Sequence, residues 1–191
     1  MSRAASEPSE LGFRKLGERV VHRGHVVTLA VGTFCDPAGE VFEREVVHHP
    51  GAVSVVPVLA DGATVILVRQ YRSSFDEQLL ELPAGKLDVD GEDHLTAARR
   101  ELEEEIGQRA GRLEELVSFY NSPGFCDEVC TVYLGLDLEP CPPSAQGVEE
   151  QHMTVERVAL DYALAMVADG RIRDAKTIVG LLLARDRLAV E

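Results

Sequence analysis

Three glutamates in the middle of the chain have the spacing that a helix needs to bring carboxylates together. Glu101, Glu104 and Glu105 stand at positions i, i+3 and i+4, so in a helix they project from one side. Like charges at these spacings repel by roughly 0.2–0.5 kcal/mol per pair, and a cation would relieve that repulsion. Carboxylate oxygens without cysteine are typical ligands of Mg²⁺ or Mn²⁺ and not of Zn²⁺. The spacing therefore predicts a divalent-metal site.

A solvated acidic helix face is the alternative interpretation of the same run, and taken alone the run favours it. Three arginines that could pair with the acids lie nearby: Arg99, Arg100 and Arg109. The upstream sequence favours the metal site, because Gly85 lets the chain pass close to a ligand and Ala84 can offer its carbonyl to a metal. Glu92 adds a further acid before the run.

The element that carries these glutamates is the clearest helix of the sequence. We expect it to extend from about Glu92 to Ile106 and to end at Gly107, a residue suited to the left-handed cap position. Apolar residues recur at helical spacing and predict its buried stripe: Leu95, Ala98, Leu102 and Ile106.

The N-terminal part of the chain indicates a tail followed by a small sheet. Residues 1–10 are small and polar, which predicts a disordered tail. Between Glu18 and His49, β-formers alternate with polar residues around a DPAG turn at 36–39, which predicts an antiparallel sheet. We therefore expect a β-sheet subdomain over residues 11–49 and a second domain over residues 50–191.

The second domain combines strands with helices. Two apolar runs flank Asp61 and Gly62, which predicts a β-hairpin. Further strands are predicted at 116–120, 129–138 and 153–160, and helices at 161–168 and 174–188, with Asp174 as the N-cap of the last helix. This alternation is typical of an α/β or α+β fold in which helices cover a mixed sheet.

Composition and charge narrow the class of protein. The 191 residues are 45% apolar and 27% charged, with a net charge of −14, which disfavours nucleic acid and anionic membrane surfaces as partners. No apolar stretch approaches the roughly 20 residues of a membrane span, and no secretory signal is visible. The four cysteines have no CxxC spacing, so we expect thiols and a cytoplasmic location.

The segment around the glutamates resembles the signature of the Nudix hydrolase family, GX5EX7REUXEEXGU, in which U is aliphatic. RELEEEIG at 100–107 matches in place, and Glu92 has the family's distance before Arg100. The interval from Gly85 to Glu92 is one residue longer than the pattern, and Gln108 replaces the final aliphatic residue. The extra residue falls before the helix, where insertions are tolerated.

Other segments resemble the ADP-ribose pyrophosphatase branch of that family. They are REVVHHPGAVSVVPVL, VRQYR, LELPAGKLD and SPG at 122–124. A proline about fifteen residues beyond the signature is diagnostic of the branch, and Pro123 lies fifteen beyond Gln108. Ser-Pro-Gly is also ordinary turn chemistry, so Pro123 supports the branch only together with the other segments.

The resemblance implies a Nudix-type α/β/α sandwich with a metal centre on its helix. The carbonyl of Ala84 and the side chains of Glu101 and Glu105 would bind Mg²⁺, for which Mn²⁺ can substitute. Glu104 would be a further ligand or act through water, and Arg100 would orient the carboxylates.

The implied reaction is hydrolysis of ADP-ribose to AMP and ribose 5-phosphate, with bound divalent ions bridging the phosphates. Glu149 or Glu150 would be the catalytic base or an additional ligand. Arg69 and Arg72 would contact phosphate or the terminal ribose, and Glu81 a ribose hydroxyl or Arg72, unless they form only a strand-end salt bridge. Gly85 and Pro123 complete the expected substrate-binding set.

The resemblance also implies a homodimer, since an isolated N-terminal sheet would expose its edges and one apolar face. Two alternative functions remain open. The first is hydrolysis of another nucleoside diphosphate sugar or a dinucleotide, because a metal site recognises only the pyrophosphate. The second is a non-catalytic module that senses ADP-ribose, and a purely structural role ranks third.

Overall fold

The structure is a computed structural model that describes residues 11–142 and 152–190. Within them the chain divides into two compact units. The first contains the described residues up to Gly51 together with Tyr120–Val129, and the second contains Ala52–Phe119 and the described residues from Cys130 onward. The predicted tail over residues 1–10 lies outside the described residues, as do Glu149 and Glu150.

The first unit contains a three-stranded antiparallel sheet, as predicted. Its strands are β1 (Arg14–Arg23), β2 (Thr28–Cys35) and β3 (Val41–His48), in the order β1-β2-β3. The turn at 36–39 joins β2 to β3: Gly39 N–H donates to the carbonyl of Asp36 at 3.1 Å, and the Asp36 carboxylate accepts from the amide of Glu40 at 2.7 Å. Asp36 thus stabilises its own turn.

The second unit contains two sheets. One has the order β7-β4-β9-β8 and the other the order β10-β5-β6. Their strands are β4 (Ala52–Pro57), β5 (Thr64–Arg72), β6 (Glu77–Glu81), β7 (Ala84–Lys86), β8 (Gln108–Tyr120), β9 (Val129–Pro140) and β10 (Thr154–Ala159). Because β4 runs parallel to β9 and antiparallel to β7, the first of these sheets is mixed, as the sequence predicts.

The predicted hairpin around Asp61 and Gly62 is wrong beyond its turn. The chain does reverse there, with Gly62 at φ 68°, and Val58, just after β4, forms an isolated bridge with Val65 of β5. The strands β4 and β5 themselves, however, belong to different sheets. Both runs are buried on both faces, so each gains more by pairing with strands from later in the chain. A local turn signal cannot report those partners.

Helices cover the second unit on both faces. α1 (His94–Ile106) packs on the side formed by Val53, Val55, Ile66 and Val68. α2 (Leu160–Ala168) and α3 (Ala175–Leu188) pack on the opposite side, with Val56, Val65 and Leu67. This arrangement is the expected α/β/α sandwich, and no described helix has the length and hydropathy needed to cross a membrane.

Capping residues set the ends of these helices. Asp93 accepts a hydrogen bond from the amide of Thr96, and Gly107 adopts the left-handed conformation that ends α1, as predicted. Asp174 caps α3 in the same way through Thr177. Leu95 does not belong to the buried stripe, because it is 40% exposed; the buried face of α1 is centred on Ala98, Glu101 and Glu105, which leaves Leu95 at its edge in the first turn.

Candidate metal centre

Two glutamates of α1 are buried with the apolar residues of that helix. Glu101 is 8% and Glu105 is 7% exposed, so the carboxylates share the buried face instead of projecting from a separate side. A carboxylate removed from water is costly unless charge or hydrogen bonds compensate it. The structure must therefore supply donors or a cation at this position.

The backbone of residues 83–85 supplies the first compensation. Ala84 N–H donates to Oε2 of Glu105 at 3.0 Å. Gly85 approaches Glu101 so closely that a Cβ built on it would lie 1.9 Å from the carboxyl carbon of that glutamate. The close approach requires glycine at this position, and it brings Ala84, Gly85, Glu101 and Glu105 together as the sequence predicts.

Strand β4 holds this backbone segment in place. The carbonyl of Pro83 accepts hydrogen bonds from the amide of Val55 at 3.0 Å and from the hydroxyl of Ser54 at 3.1 Å. β7 then pairs with β4 from Ser54 to Ala52. The position of the Ala84–Gly85 peptide therefore follows from the central strand of the mixed sheet.

Arg100 supplies the second compensation, a positive charge. Its Nη1 donates to Glu101 at 2.6 Å and to Glu104 at 3.0 Å. Its Nε and Nη2 donate to the two oxygens of Glu92 at 3.1 and 3.0 Å. These hydrogen bonds, those that Arg100 donates to Glu92 above all, raise the pKa of Arg100 further above its usual range. Glu92 thus holds the cation that faces the acids of α1.

The donor chemistry of this cluster fits a hard divalent cation. Arg100 already places a positive group between Glu101 and Glu104, and the Glu101 carboxylate occupies the space that a side chain at Gly85 would fill. The side chains of Glu101, Glu104 and Glu105 with the carbonyl of Ala84 form an all-oxygen set. Among residues 11–142 and 152–190, no three His, Cys, Asp or Glu side chains already surround a common centre.

A second charged cluster surrounds Glu81, which is only 1% exposed. Arg72 donates to both of its oxygens, from Nε at 2.7 Å and from Nη2 at 2.6 Å, and Lys176 donates to Oε2. Burial by itself raises the pKa of Glu81, but Arg72 and Lys176 outweigh it and lower the pKa to about 2. Of the two partners expected for Glu81, the structure shows Arg72.

Arg72 also interacts electrostatically with Glu105 of the α1 cluster. Its hydrogen bonds to Glu81 raise its pKa, and the charges of Asp174 and Glu105 add to that effect. Arg72 therefore lies within electrostatic range of a predicted metal ligand. Lys176 is a member of this cluster that the sequence analysis missed. Its position just after the N-cap Asp174 gave no sign of a partner 95 residues away.

Arg69 and Pro123 are the remaining predicted site residues that the structure describes. Arg69 donates to Glu156 of β10 at 2.6 Å, so it forms the salt bridge that the sequence left as an alternative. Pro123 belongs to the first unit, in a turn where the amides of Phe125 and Cys126 donate to the carbonyl of Ser122. Its role at the site stays a prediction.

Comparison with known proteins identifies the family. The family model described as the NUDIX domain matches residues 48–178, which is more than half of the chain. The chain belongs to the Nudix family. The prediction of a Nudix hydrolase is thereby confirmed, and Nudix hydrolases generally use a divalent metal.

Individual Nudix relatives match over most of their length. The methanol dehydrogenase activator of Bacillus methanolicus is 37% identical over 84% of this chain and 86% of its own. The ADP-ribose pyrophosphatase of Bacillus subtilis is 37% identical over 86% of this chain and 88% of its own. The ADP-ribose pyrophosphatase of Mycobacterium tuberculosis is 38% identical over 91% of this chain and 84% of its own. A crystal structure of an ADP compounds hydrolase matches with a TM-score of 0.81 over 97% of both chains, at 23% identity, and shows the same fold.

The contact between Gly85 and Glu101 gives the first prediction. Gly85→Ala places a methyl group where the Glu101 carboxylate lies, so that carboxylate must move. We expect affinity for Mn²⁺, measured by electron paramagnetic resonance, to fall by about 10- to 100-fold. Gly17→Ala is the control, since nothing lies within 4 Å of its added Cβ. Unchanged Mn²⁺ affinity of a folded Gly85→Ala protein would contradict the assignment of the centre.

The Glu81 cluster gives a prediction about pH. Because its folded pKa of about 2 is below the ordinary 4.5, ionised Glu81 contributes stability above about pH 4.5, and this contribution disappears as the pH falls toward 2. Glu81→Gln should therefore lower the free energy of unfolding near neutral pH, and the difference in this free energy between Glu81→Gln and the wild type should shrink as the pH falls. Urea denaturation across this pH range measures the difference.

Glu77→Gln is the control for that experiment, because Glu77 pairs with Arg173 in an exposed salt bridge and such pairs contribute little. The free energy of unfolding of Glu77→Gln should stay close to that of the wild type over the whole pH range. If the free energies of unfolding of Glu81→Gln and the wild type differed by the same amount down to pH 2, the ionised carboxylate would not be stabilised as described.

Proposed function

We propose that this Nudix protein hydrolyses ADP-ribose to AMP and ribose 5-phosphate, with Mg²⁺ held by the carboxylates of α1. The observation that carries the proposal is the burial of Glu101 and Glu105 against the Ala84–Gly85 backbone. The substrate is suggested by the two relatives named as ADP-ribose pyrophosphatases, which match over most of both chains.

The metal ligands in this proposal are Glu101, Glu105 and the carbonyl of Ala84, with Glu104 as a further or water-mediated ligand. Bound there, Mg²⁺ would neutralise the diphosphate and stabilise charge that develops at phosphorus, and Mn²⁺ can replace it. Arg100 keeps the carboxylates oriented. Its two hydrogen bonds to Glu92 fix its place independently of those to Glu101 and Glu104.

Arginines on β5 would receive the anionic substrate, which a chain with a net charge of −14 otherwise repels. The guanidinium of Arg72 has five N–H donors, of which Glu81 takes one from Nε and one from Nη2. Its side chain is 38% exposed, so the remaining donors can reach a phosphate or ribose oxygen. Arg69, Gly85 and Pro123 remain in the proposed binding set.

Glu149 and Glu150 remain the proposed source of the catalytic base or of an additional ligand. They are the acids to which the family resemblance gives that role. Replacing Glu149 and Glu150 separately by glutamine shows which of them has the role, because we propose that one replacement lowers kcat far more than the other. The proposed cytoplasmic location accords with four cysteines that are all thiols in the structure.

We propose a homodimer formed through the first unit. Large apolar side chains are exposed on that unit, several of them on the sheet itself: Leu11, Phe13, Leu16, Val20, Val21 and Val41. Exposed apolar surface of this kind usually marks an interaction site, and a second copy of the sheet would also protect its edges.

The activity is tested directly by product analysis. With Mg²⁺, the protein should release AMP and ribose 5-phosphate from ADP-ribose faster than it cleaves GDP-mannose or NADH. Glu105→Gln should lose about 10²-fold or more of kcat, since it weakens the hold on the Mg²⁺ that stabilises the reacting centre, while circular dichroism shows retained structure. Equal rates on all three substrates would remove the specific claim. Binding of ADP-ribose without turnover would instead indicate a sensor.

The dimer is tested by light scattering at micromolar concentration. The expected mass is twice the chain mass of 20.9 kDa, and Val21→Glu should shift it toward the monomer because it places a charge on the apolar surface of β1. Val190→Glu, which changes an equally apolar and 83% exposed residue of the second unit, should not. A wild-type protein that is monomeric, or a shift with both variants, would contradict the proposed interface.

A further inference from the structure

The N-terminal end of α3 is attached to the strand that leads into the metal centre. Lys176 donates to Oε2 of Glu81 and also lies 3.0 Å from Oδ1 of Asp174. The next residue, Thr177, accepts a hydrogen bond from the amide of Leu82 at 2.8 Å and is fully buried. Two consecutive residues of α3 thus hold two consecutive residues of the strand end.

Each of the next three residues, 83–85, also has a contact that leads toward the candidate centre. After Glu81 and Leu82, the carbonyl of Pro83 is held by β4, Ala84 donates to Glu105, and Gly85 lies against Glu101. Lys176 is therefore at the start of a series of fixed contacts that ends at the carboxylates of α1. The side chain of Lys176 is only 12% exposed, so its ammonium group is largely shielded from water while it binds Glu81.

Lys176 shares the carboxylate of Glu81 with Arg72. Arg72 approaches from β5 and binds both oxygens, whereas Lys176 approaches from α3 and binds Oε2. Glu81 has one negative charge and is almost completely buried, so its orientation depends on both cations. Without Lys176, this carboxylate would lose the hydrogen bond that it receives from α3, and its ion pair with Arg72 would break more often.

We propose that Lys176 is a positioning residue for substrate binding: it anchors Glu81 from α3, and Glu81 in turn holds Arg72 in the orientation that receives the substrate. The assignment rests on the proposed function of Arg72. It differs from a merely structural role, since a structural lysine would affect stability without acting through Arg72.

The structure offers a matched control in Arg173. It also links the start of α3 to β6, through Glu77 at 2.6 Å, but the side chains of Arg173 and Glu77 are both exposed. Arg173→Met removes a cation between the same two elements without touching Glu81. We expect it to behave like the wild type in every measurement below.

Steady-state kinetics with ADP-ribose and Mg²⁺ test the assignment first. Lys176→Met should raise KM about tenfold, as for the loss of one charged contact, and should change kcat much less. In an Arg72→Met background the same substitution should have no further effect on KM, because residues that act as a unit are not additive. Additive effects on KM, or a loss confined to kcat, would overturn the proposal.

A measurement without substrate separates this proposal from the proposed function. In ¹⁵N-labelled protein, the Nε–H of Arg72, assigned by its loss in Arg72→Lys, should exchange with solvent about tenfold faster in Lys176→Met than in the wild type or Arg173→Met. Unchanged exchange would overturn the anchoring role even in an active enzyme. Faster exchange in a protein that does not cleave ADP-ribose would retain the anchoring role and reject the substrate.

Should Lys176→Met fail to fold, Lys176→Gln provides the same comparisons, because its amide can still donate to Glu81 but has no charge. It should change KM and the exchange rate in the same directions by smaller factors. Wild-type values of both in Lys176→Gln, when Lys176→Met is unfolded, would limit Lys176 to a structural role and overturn the proposal.

Discussion

The burial of two carboxylates on one face of α1 is the constraint on which the rest of this structure depends. Glu101 and Glu105 lie among the alanines and leucine that pack this helix on the sheet. A helix face with that composition cannot be stabilised by the hydrophobic effect alone, because each carboxylate loses its hydration. The fold meets the requirement with a main-chain donor at Ala84 and the cation Arg100. Carboxylate oxygens are also the ligands that a hard divalent ion prefers.

The positions of these oxygens depend on backbone and side-chain contacts from several parts of the chain. β4 fixes Pro83, and the absence of a side chain at Gly85 admits Glu101. Glu92, just before the N-cap of α1, fixes Arg100 through two hydrogen bonds. α3 contributes from the other side through Thr177, whose hydroxyl binds Leu82. Contacts of this kind orient side chains without help from a ligand, and such preorganisation favours electrostatic stabilisation of a reaction.

The sequence predicts those features that depend on short-range signals. The end of α1 follows from Gly107, the cap of α3 from Asp174, and the shared position of the glutamates from their spacing along one helix. It does not predict the pairing of β4 with β9, because the residues that pair are far apart and apolar runs do not specify a partner. Two short strands, β6 and β7, also lack a periodic pattern of their own. Lys176 was missed for the same reason, since its contact with Glu81 joins residues 95 positions apart.

The central claim is that the carboxylates of α1 and the backbone at Ala84 form one divalent-cation centre. Anomalous X-ray diffraction from crystals soaked in Mn²⁺ tests it most directly, because the signal locates the metal itself. The account predicts an anomalous peak within coordination distance, about 2.0–2.3 Å, of carboxylate oxygens of Glu101 and Glu105 and of the carbonyl of Ala84. A fully occupied peak elsewhere in the second unit, with Glu101 and Glu105 still bound only by protein donors, would contradict it.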